Sequence, residues 1–161
     1  GKTPEEVRDI SGLVAVTDAA LVQRARAAGI GAVLPVQLGG QRSSDHGPPV
    51  LLHAQVALLT DGRFINTGPM ERGSVVHCGQ SVVLRADRLR VIVTEHVAPC
   101  NDPAFFALHG VDLSPTRLLC VKAKKHFRAA FASLCAAIVD AHAPGPASLD
   151  LALPPLRRRV N

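Results

Sequence analysis

Two stretches of this 161-residue chain hold side chains that could bind or transform a ligand. The first, Val121-Lys122-Ala123-Lys124-Lys125-His126-Phe127-Arg128, reads as the end of an apolar strand running into the first turn of an amphipathic helix. A helix start exposes backbone N–H groups and the positive end of the dipole, so an anion is favoured there. Lys122, His126 and Arg128 would add side-chain donors, Arg128 as a planar fork suited to a carboxylate. Cations crowded at a helix start oppose the dipole, which calls for a compensating anion. A solvated helix face accounts for the same charges without a ligand.

The second stretch is the loop from Gly39 to Pro49. Gly39 and Gly40 allow a ligand close to the backbone, and Asp45 with His46 could position a proton. A simple Asx turn at Asp45 explains the same residues structurally. The candidate catalytic groups are therefore Asp45, His46 and His126, and the candidate anion contacts are Gly39, Gly40, Lys122, His126 and Arg128. The expectation is that both stretches converge on one pocket, completed by another polypeptide region.

Other chemistries are poorly supported. The seven histidines form no His-x-x-x-His or His-Glu-x-x-His pair, so no metal site is expected within the chain. Gly29-x-Gly31 lacks the third glycine of a dinucleotide fingerprint, and neither a Walker loop nor a Gly-x-Ser-x-Gly elbow occurs. Cys78, Cys100, Cys120 and Cys135 show no zinc or disulfide spacing, which predicts free, buried thiols. The net charge of +5 is local to Lys122–Arg128 and Arg157–Arg159, and five Phe with no Trp or Tyr give few stacking platforms, so no nucleic-acid partner is expected. With no apolar run long enough to span a membrane and no leader-like segment, the reading is a soluble protein in the reducing cytoplasm.

The elements that must position these residues follow from punctuation and periodicity. An apolar fraction of 47% against 19% charged residues is enough for one core, so a single domain is expected. Thr3-Pro4-Glu5-Glu6 opens a short helix within a lead-in over 1–16, and Thr17-Asp18 opens a second helix that stops at Gly29. Ile30 to Leu38 reads as a strand interrupted by Pro35, and Leu52 to Leu58 alternates as a half-buried strand. Asp61-Gly62 then reads as a hairpin turn into Arg63-Phe64-Ile65. Strands follow at Val75–Cys78, Ser81–Arg85 and Leu89–Thr94, making the middle third antiparallel. Asp102-Pro103 caps a helix ended by Gly110, Leu118 to Lys122 is a strand, and apolar residues from Phe127 to Ile138 predict the strongest helix. Residues 143–161 read as an extended, proline-rich strap. The fold class is mixed α/β (α+β): an antiparallel or mixed sheet packed by several helices.

Several of these segments, in this order, resemble the C-terminal domain of the MlrC family. They are Ala28-Gly29-Ile30-Gly31-Ala32 leading to Leu38-Gly39-Gly40, Asp45-His46-Gly47-Pro48-Pro49, and Thr60-Asp61-Gly62-Arg63-Phe64 with Asn66-x-Gly68-Pro69-Met70. Cys78 to Arg85, Lys122 with His126-Phe127-Arg128-Ala129-Ala130-Phe131, then Asp140-Ala141 and Pro144-Gly145 continue the match. Gln41 and Lys124-Lys125 depart from the family pattern. The resemblance implies an accessory domain of a zinc-dependent peptidase acting on linearised microcystin or other small peptides. It places zinc in an N-terminal catalytic domain of the same protein and no cofactor in this chain. Asp45, His126 and Arg128 would then face the catalytic domain and a small or anionic substrate. The alternative is a non-catalytic module that binds an anion or forms a homo-oligomer through exposed strands.

Overall fold

A computed structural model describes residues 12–40, 47–123 and 126–141. In chain order these form β1 (Gly12–Thr17), α1 (Ala19–Ala28), β2 (Val33–Leu38), β3 (Val50–Thr60), β4 (Arg63–Ile65), β5 (Val75–His77), β6 (Ser81–Ala86), β7 (Leu89–Thr94), α2 (Pro103–Leu108), β8 (Leu118–Cys120) and α3 (Phe127–Phe131). Among the described residues, six strands make one mixed sheet in the order β2-β3-β6-β7-β1-β8, and β4 pairs with β5 in a second, two-stranded sheet. The architecture is mixed α+β in one domain, and among the described residues no helix is long and apolar enough to cross a membrane.

The apolar runs of β6 and β7 explain the layers. Val83 and Ile92 point to one face of the main sheet, where they pack with Leu13, Phe105, Phe106 and Phe131. Their neighbours Val82, Leu84, Val91 and Val93 point to the other face and meet Leu21 and Val22 of α1. With both faces covered, a strand loses the polar–apolar alternation of a half-buried one. An irregularity at Ala57, between the pairs Val56–Leu84 and Leu58–Val83, is a one-residue bulge in β3. It leaves Val56 and Leu59 in the α1-side core while Leu58 packs on the opposite one.

Local signals place most elements. Asp18 accepts from the Leu21 backbone N–H at 2.9 Å to cap α1, and Gly29 at φ 82 ends it. Asp102 caps α2 and Gly110 at φ 62 follows it. Pro35 is tolerated because β2 is an edge strand, and Arg24 donates to the Pro35 carbonyl at 3.0 Å.

Four expectations need correction. Gly12–Thr17, read as the end of a lead-in and the first residue of a helix start, is a strand lying between β7 and β8 and parallel to both. Leu13-Val14-Ala15-Val16 is a continuous apolar run, the signature of a strand buried on both faces, which alternation does not detect. The Asp61-Gly62 turn does not fold β4 back on β3; it passes the chain to the second sheet, where Arg63, Phe64 and Ile65 pair with His77, Val76 and Val75. The space beside β3 is taken by β6, and the Cys78 backbone N–H donates to the Gly62 carbonyl at 2.9 Å. The final helix stops at Phe131 instead of reaching Ile138, because the core it packs on ends there: Leu134 is 58% exposed and Val139 85%. Of the four free cysteines, Cys78 and Cys100 are buried, Cys135 is partly buried and Cys120 is exposed. The helix start at Thr3 and the strap at 143–161 lie outside the described residues.

Across one end of the main sheet runs an ordered hydrogen-bond chain. The Gly62 backbone N–H donates to Thr60 Oγ1 at 3.1 Å, and Thr60 Oγ1 and Ser81 Oγ are 2.6 Å apart. Ser81 Oγ lies 2.8 Å from His109 Nε2, and His109 Nδ1 lies 2.6 Å from the Phe105 carbonyl. A carbonyl only accepts, so Nδ1 carries the proton and neutral Nε2 accepts from Ser81. Ser81 and His109 have the pairing of a nucleophile and its base, but they are 0% and 2% exposed, so the role is structural. Burial pulls the His109 pKa below its ordinary 6.5, partly opposed by the Phe105 carbonyl.

Gly62→Ala should destabilise the fold by about 3 kcal/mol in denaturant unfolding, because the added Cβ would lie 1.7 Å from the Gly79 carbonyl oxygen at a φ of +70°. The unfolded chain protonates His109 more readily than the folded one, so stability should fall as pH drops below 6.5 towards the lower folded value. Unfolding midpoints of His109→Gln should be flatter than wild type across that window, and equal slopes would remove His109 as the cause.

Candidate functional site

Gly39 and Gly40 follow β2, whereas Lys122 follows β8, and these strands are opposite edges of the six-stranded sheet. Five strand spacings separate them, about 24 Å. The start of the glycine-rich loop and the cationic stretch therefore do not share a pocket within this chain. Asp45 and His46, the remainder of that expectation, lie outside the described residues, as do Lys124 and Lys125.

His126 does meet other polar groups, on the α2 side of the sheet. It lines a cavity of about 10 Å³ with Asn66, Gly68, Glu71, Asn101 and Asp102, room for roughly one water. Asp102 organises this place. Its carboxylate is 4% exposed and caps α2 by accepting the Ala104 N–H at 2.9 Å. The same carboxylate accepts the backbone N–H groups of Thr67 at 3.2 Å and Gly68 at 2.7 Å, and the Thr67 hydroxyl at 3.2 Å. Burial raises its pKa, but the donors from Ala104, Gly68 and Thr67 together outweigh it and hold the group below the ordinary carboxylate value.

Only glycine fits at position 68. A Cβ there would stand 2.7 Å from Asp102 Oδ2 and 3.2 Å from the Ala130 side chain of α3. The loop is closed by Asn66, which is 3% exposed: its side-chain amide donates to Glu71 at 3.1 Å, and its backbone N–H donates to the Ser74 carbonyl at 2.9 Å. Thus the β4–β5 loop, the cap of α2 and the start of α3 are fastened around one buried charge. Sequence reasoning read Asp102 only as a cap and gave Asn66 no role. The signal present was Asn66-x-Gly68-Pro69-Met70, because a required glycine beside a buried-capable amide marks a close approach.

The remaining candidates at α3 have defined states. His126 stands at the N-cap with its side chain exposed and makes no capping bond there, so the fold leaves that imidazole available. Arg128 Nη2 donates to both oxygens of Asp140 at 2.7 Å, and the guanidinium sits 5.5 Å over the Phe127 ring. Its compensating anion is thus a carboxylate of the chain itself. Lys122 is exposed, and its carbonyl lies 3.8 Å from Cys100 Sγ. Because α3 has only five residues, its dipole adds little to anion binding, and side chains must supply the attraction. Among the described residues no group of three or more His, Cys, Asp or Glu side chains is placed to hold a metal ion, so these residues do not fit a zinc centre. His53, His77 and His96 are exposed.

Comparison with known proteins agrees with the order of motifs. Residues 5–158 match the family described as MlrC C-terminus. Among solved structures, one described as a "Putative metallopeptidase" from Mesorhizobium sp. BNC1 is similar, with 30% sequence identity and a TM-score of 0.73. The match covers 81% of this chain and 28% of that one, so the chain spans little more than a quarter of that protein. No curated protein matches.

Asp102→Ala should cost about 3 kcal/mol in urea unfolding, because buried N–H donors of the 67–68 loop and of α2 would lose their acceptor. The folded carboxylate is held below its ordinary 3.8, so its contribution is complete above that pH and fades as pH falls through the lower folded value. Acid unfolding of wild type should show this extra loss below pH 3.8, absent in Asp102→Ala.

Proposed function

The chain belongs to the MlrC C-terminus family, and on that footing we propose that it is the substrate-shaping part of a metal-dependent hydrolase of small or linearised peptides. In this reading it is inactive alone, and zinc sits in an N-terminal catalytic domain of the same, longer protein. Support for a longer protein comes from the match to 28% of a metallopeptidase-like chain. The observation that carries the reading is the convergence of Asn66, Gly68 and Met70 with His126 and Ala130 around Asp102. These residues are distant in sequence, and the fold uses one buried carboxylate to hold them together while leaving the His126 side chain outside.

The chemistry assigned to this chain is binding and orientation. His126 can donate or accept one hydrogen bond at the edge of the cleft. Arg128, steadied by Asp140, can offer its remaining N–H groups to a substrate carboxylate. Such contacts lower the entropy cost of bringing a flexible peptide to a reacting centre. Four free thiols suit a reducing, cytoplasmic setting for this work.

Zinc titration of the 161-residue chain should show no tight one-to-one uptake and no peptidase activity. Joined to a catalytic domain of the family, it should support hydrolysis of linear peptides. Arg128→Ala in the joined protein should raise KM for carboxylate-bearing peptides by about tenfold with little change in kcat. Stoichiometric zinc on the chain alone, or full activity of the catalytic domain without it, would overturn the reading.

A further inference from the structure

The two-stranded sheet is too small to stand alone. Its strands pair only from Arg63–His77 to Ile65–Val75, and an isolated strand pair is marginal in water. Its inner face holds it in place: Phe64 and Val76 join the core shared with α2, and the Phe64 and Phe105 rings meet edge-on with centroids 5.9 Å apart. The outer face has no such cover. Strand alternation turns Arg63, Ile65, Val75 and His77 outward, with Ile65 directly opposite Val75 and Arg63 opposite His77. Ile65 is 58% exposed and Val75 57%, a branched apolar pair that adds nothing to the core.

Met70 connects this face to the candidate site. The loop from Ile65 to Val75 is drawn together by hydrogen bonds from the Asn66 N–H to the Ser74 carbonyl and from the Gly73 N–H to the Asn66 carbonyl, both 2.9 Å. Within it Met70 is 54% exposed and also lines the cavity beside His126. Among the described residues no other large apolar side chain is both exposed and part of that lining; Val33, Leu51, Leu134 and Val139 are exposed away from it. A body seated on Ile65, Val75 and Met70 therefore reaches the edge of the His126 cleft.

Two observations select the occupant. The similar metallopeptidase-like structure is matched over only 28% of its chain, and a domain of a longer chain presents an interface to its neighbour. The outward positions of β4 and β5 hold Arg63 and His77 and no carboxylate, so a complementary surface is apolar with an acidic group opposite Arg63. Resting on the reading of this chain as part of a longer hydrolase, we propose that the outer face of the β4–β5 sheet docks that protein's catalytic domain. Ile65, Val75 and Met70 lie against an apolar surface of it, and Arg63 against a carboxylate.

The test is hydroxyl-radical oxidation read by peptide-resolved mass spectrometry, on the 161-residue chain and on the chain joined to a catalytic domain of the family. Met70 is the single methionine of the chain, and Leu51, 70% exposed at the far end of β3 from Asp61, is the internal control. Joining should slow Met70 oxidation about fivefold, as 54% exposure gives way to the near-complete burial of an interface core, and should leave Leu51 unchanged. Ile65→Asp, at an exposed position, should leave the unfolding midpoint of the isolated chain near wild type. In the joined protein it should return Met70 to the isolated-chain rate. Arg63→Glu should also weaken the protection, and Arg63→Lys should keep it. Equal Met70 oxidation in both proteins would overturn the proposal. So would protection that grows with the concentration of the 161-residue chain alone, the mark of a second copy on this face. Hydrolysis is measured on the same samples: activity without Met70 protection removes the docking face and leaves the hydrolase reading, whereas protection without activity does the reverse.

Discussion

A single buried carboxylate, Asp102, holds together the part of the molecule where the Asn66–Met70 motif meets the start of α3. It is 4% exposed and takes hydrogen bonds from the first turn of α2 and from the loop between β4 and β5. Without a buried anion those N–H groups would point at one another across an apolar interior, with no water to satisfy them. Gly68 completes the arrangement, because only a residue without a Cβ lets the loop come within reach of the carboxylate and of Ala130 at once. Placement of His126 relative to the loop follows from that contact.

The two faces of the main sheet are covered differently. Its central strands β6 and β7 are covered on both faces, which fixes them firmly. On one face, α2, α3 and the small sheet pack together and present His126 and Arg128 at their margin. On the other, α1 covers the centre and leaves a groove towards the edge. A second polar structure, the chain from Gly62 through Ser81 and His109 to the Phe105 carbonyl, connects the main sheet to α2. It gives the short helix a defined position that its six residues could not secure by propensity alone.

Family membership and geometry bear on function at different depths. The match over residues 5–158 assigns the chain to a domain of metallopeptidase-like proteins. Geometry adds that the described residues gather no metal ligands and that Arg128 already has an anion, Asp140. A guanidinium that shares its charge with Asp140 is a weaker but better-directed partner for any further carboxylate than a free arginine.

The sequence by itself determined the elements with local causes. The helix start at Thr17-Asp18, Asp102 as a cap, Gly29 and Gly110 as stops, and the alternation before Asp61 depend on neighbours a few residues away, so they are readable in one dimension. It also carried the order of motifs that identifies the family. The burial of Gly12–Thr17 between two parallel strands, the transfer of β4 to a separate sheet and the early stop of α3 at Phe131 depend on which surfaces remain to be covered. So does the site: Gly39 and Lys122, both attractive in sequence, are carried to opposite edges by strand order, while Asn66 and His126 are drawn together around Asp102. Only tertiary structure decides such distances, because a side chain's partners are set by packing across the sheet and not by its neighbours along the chain.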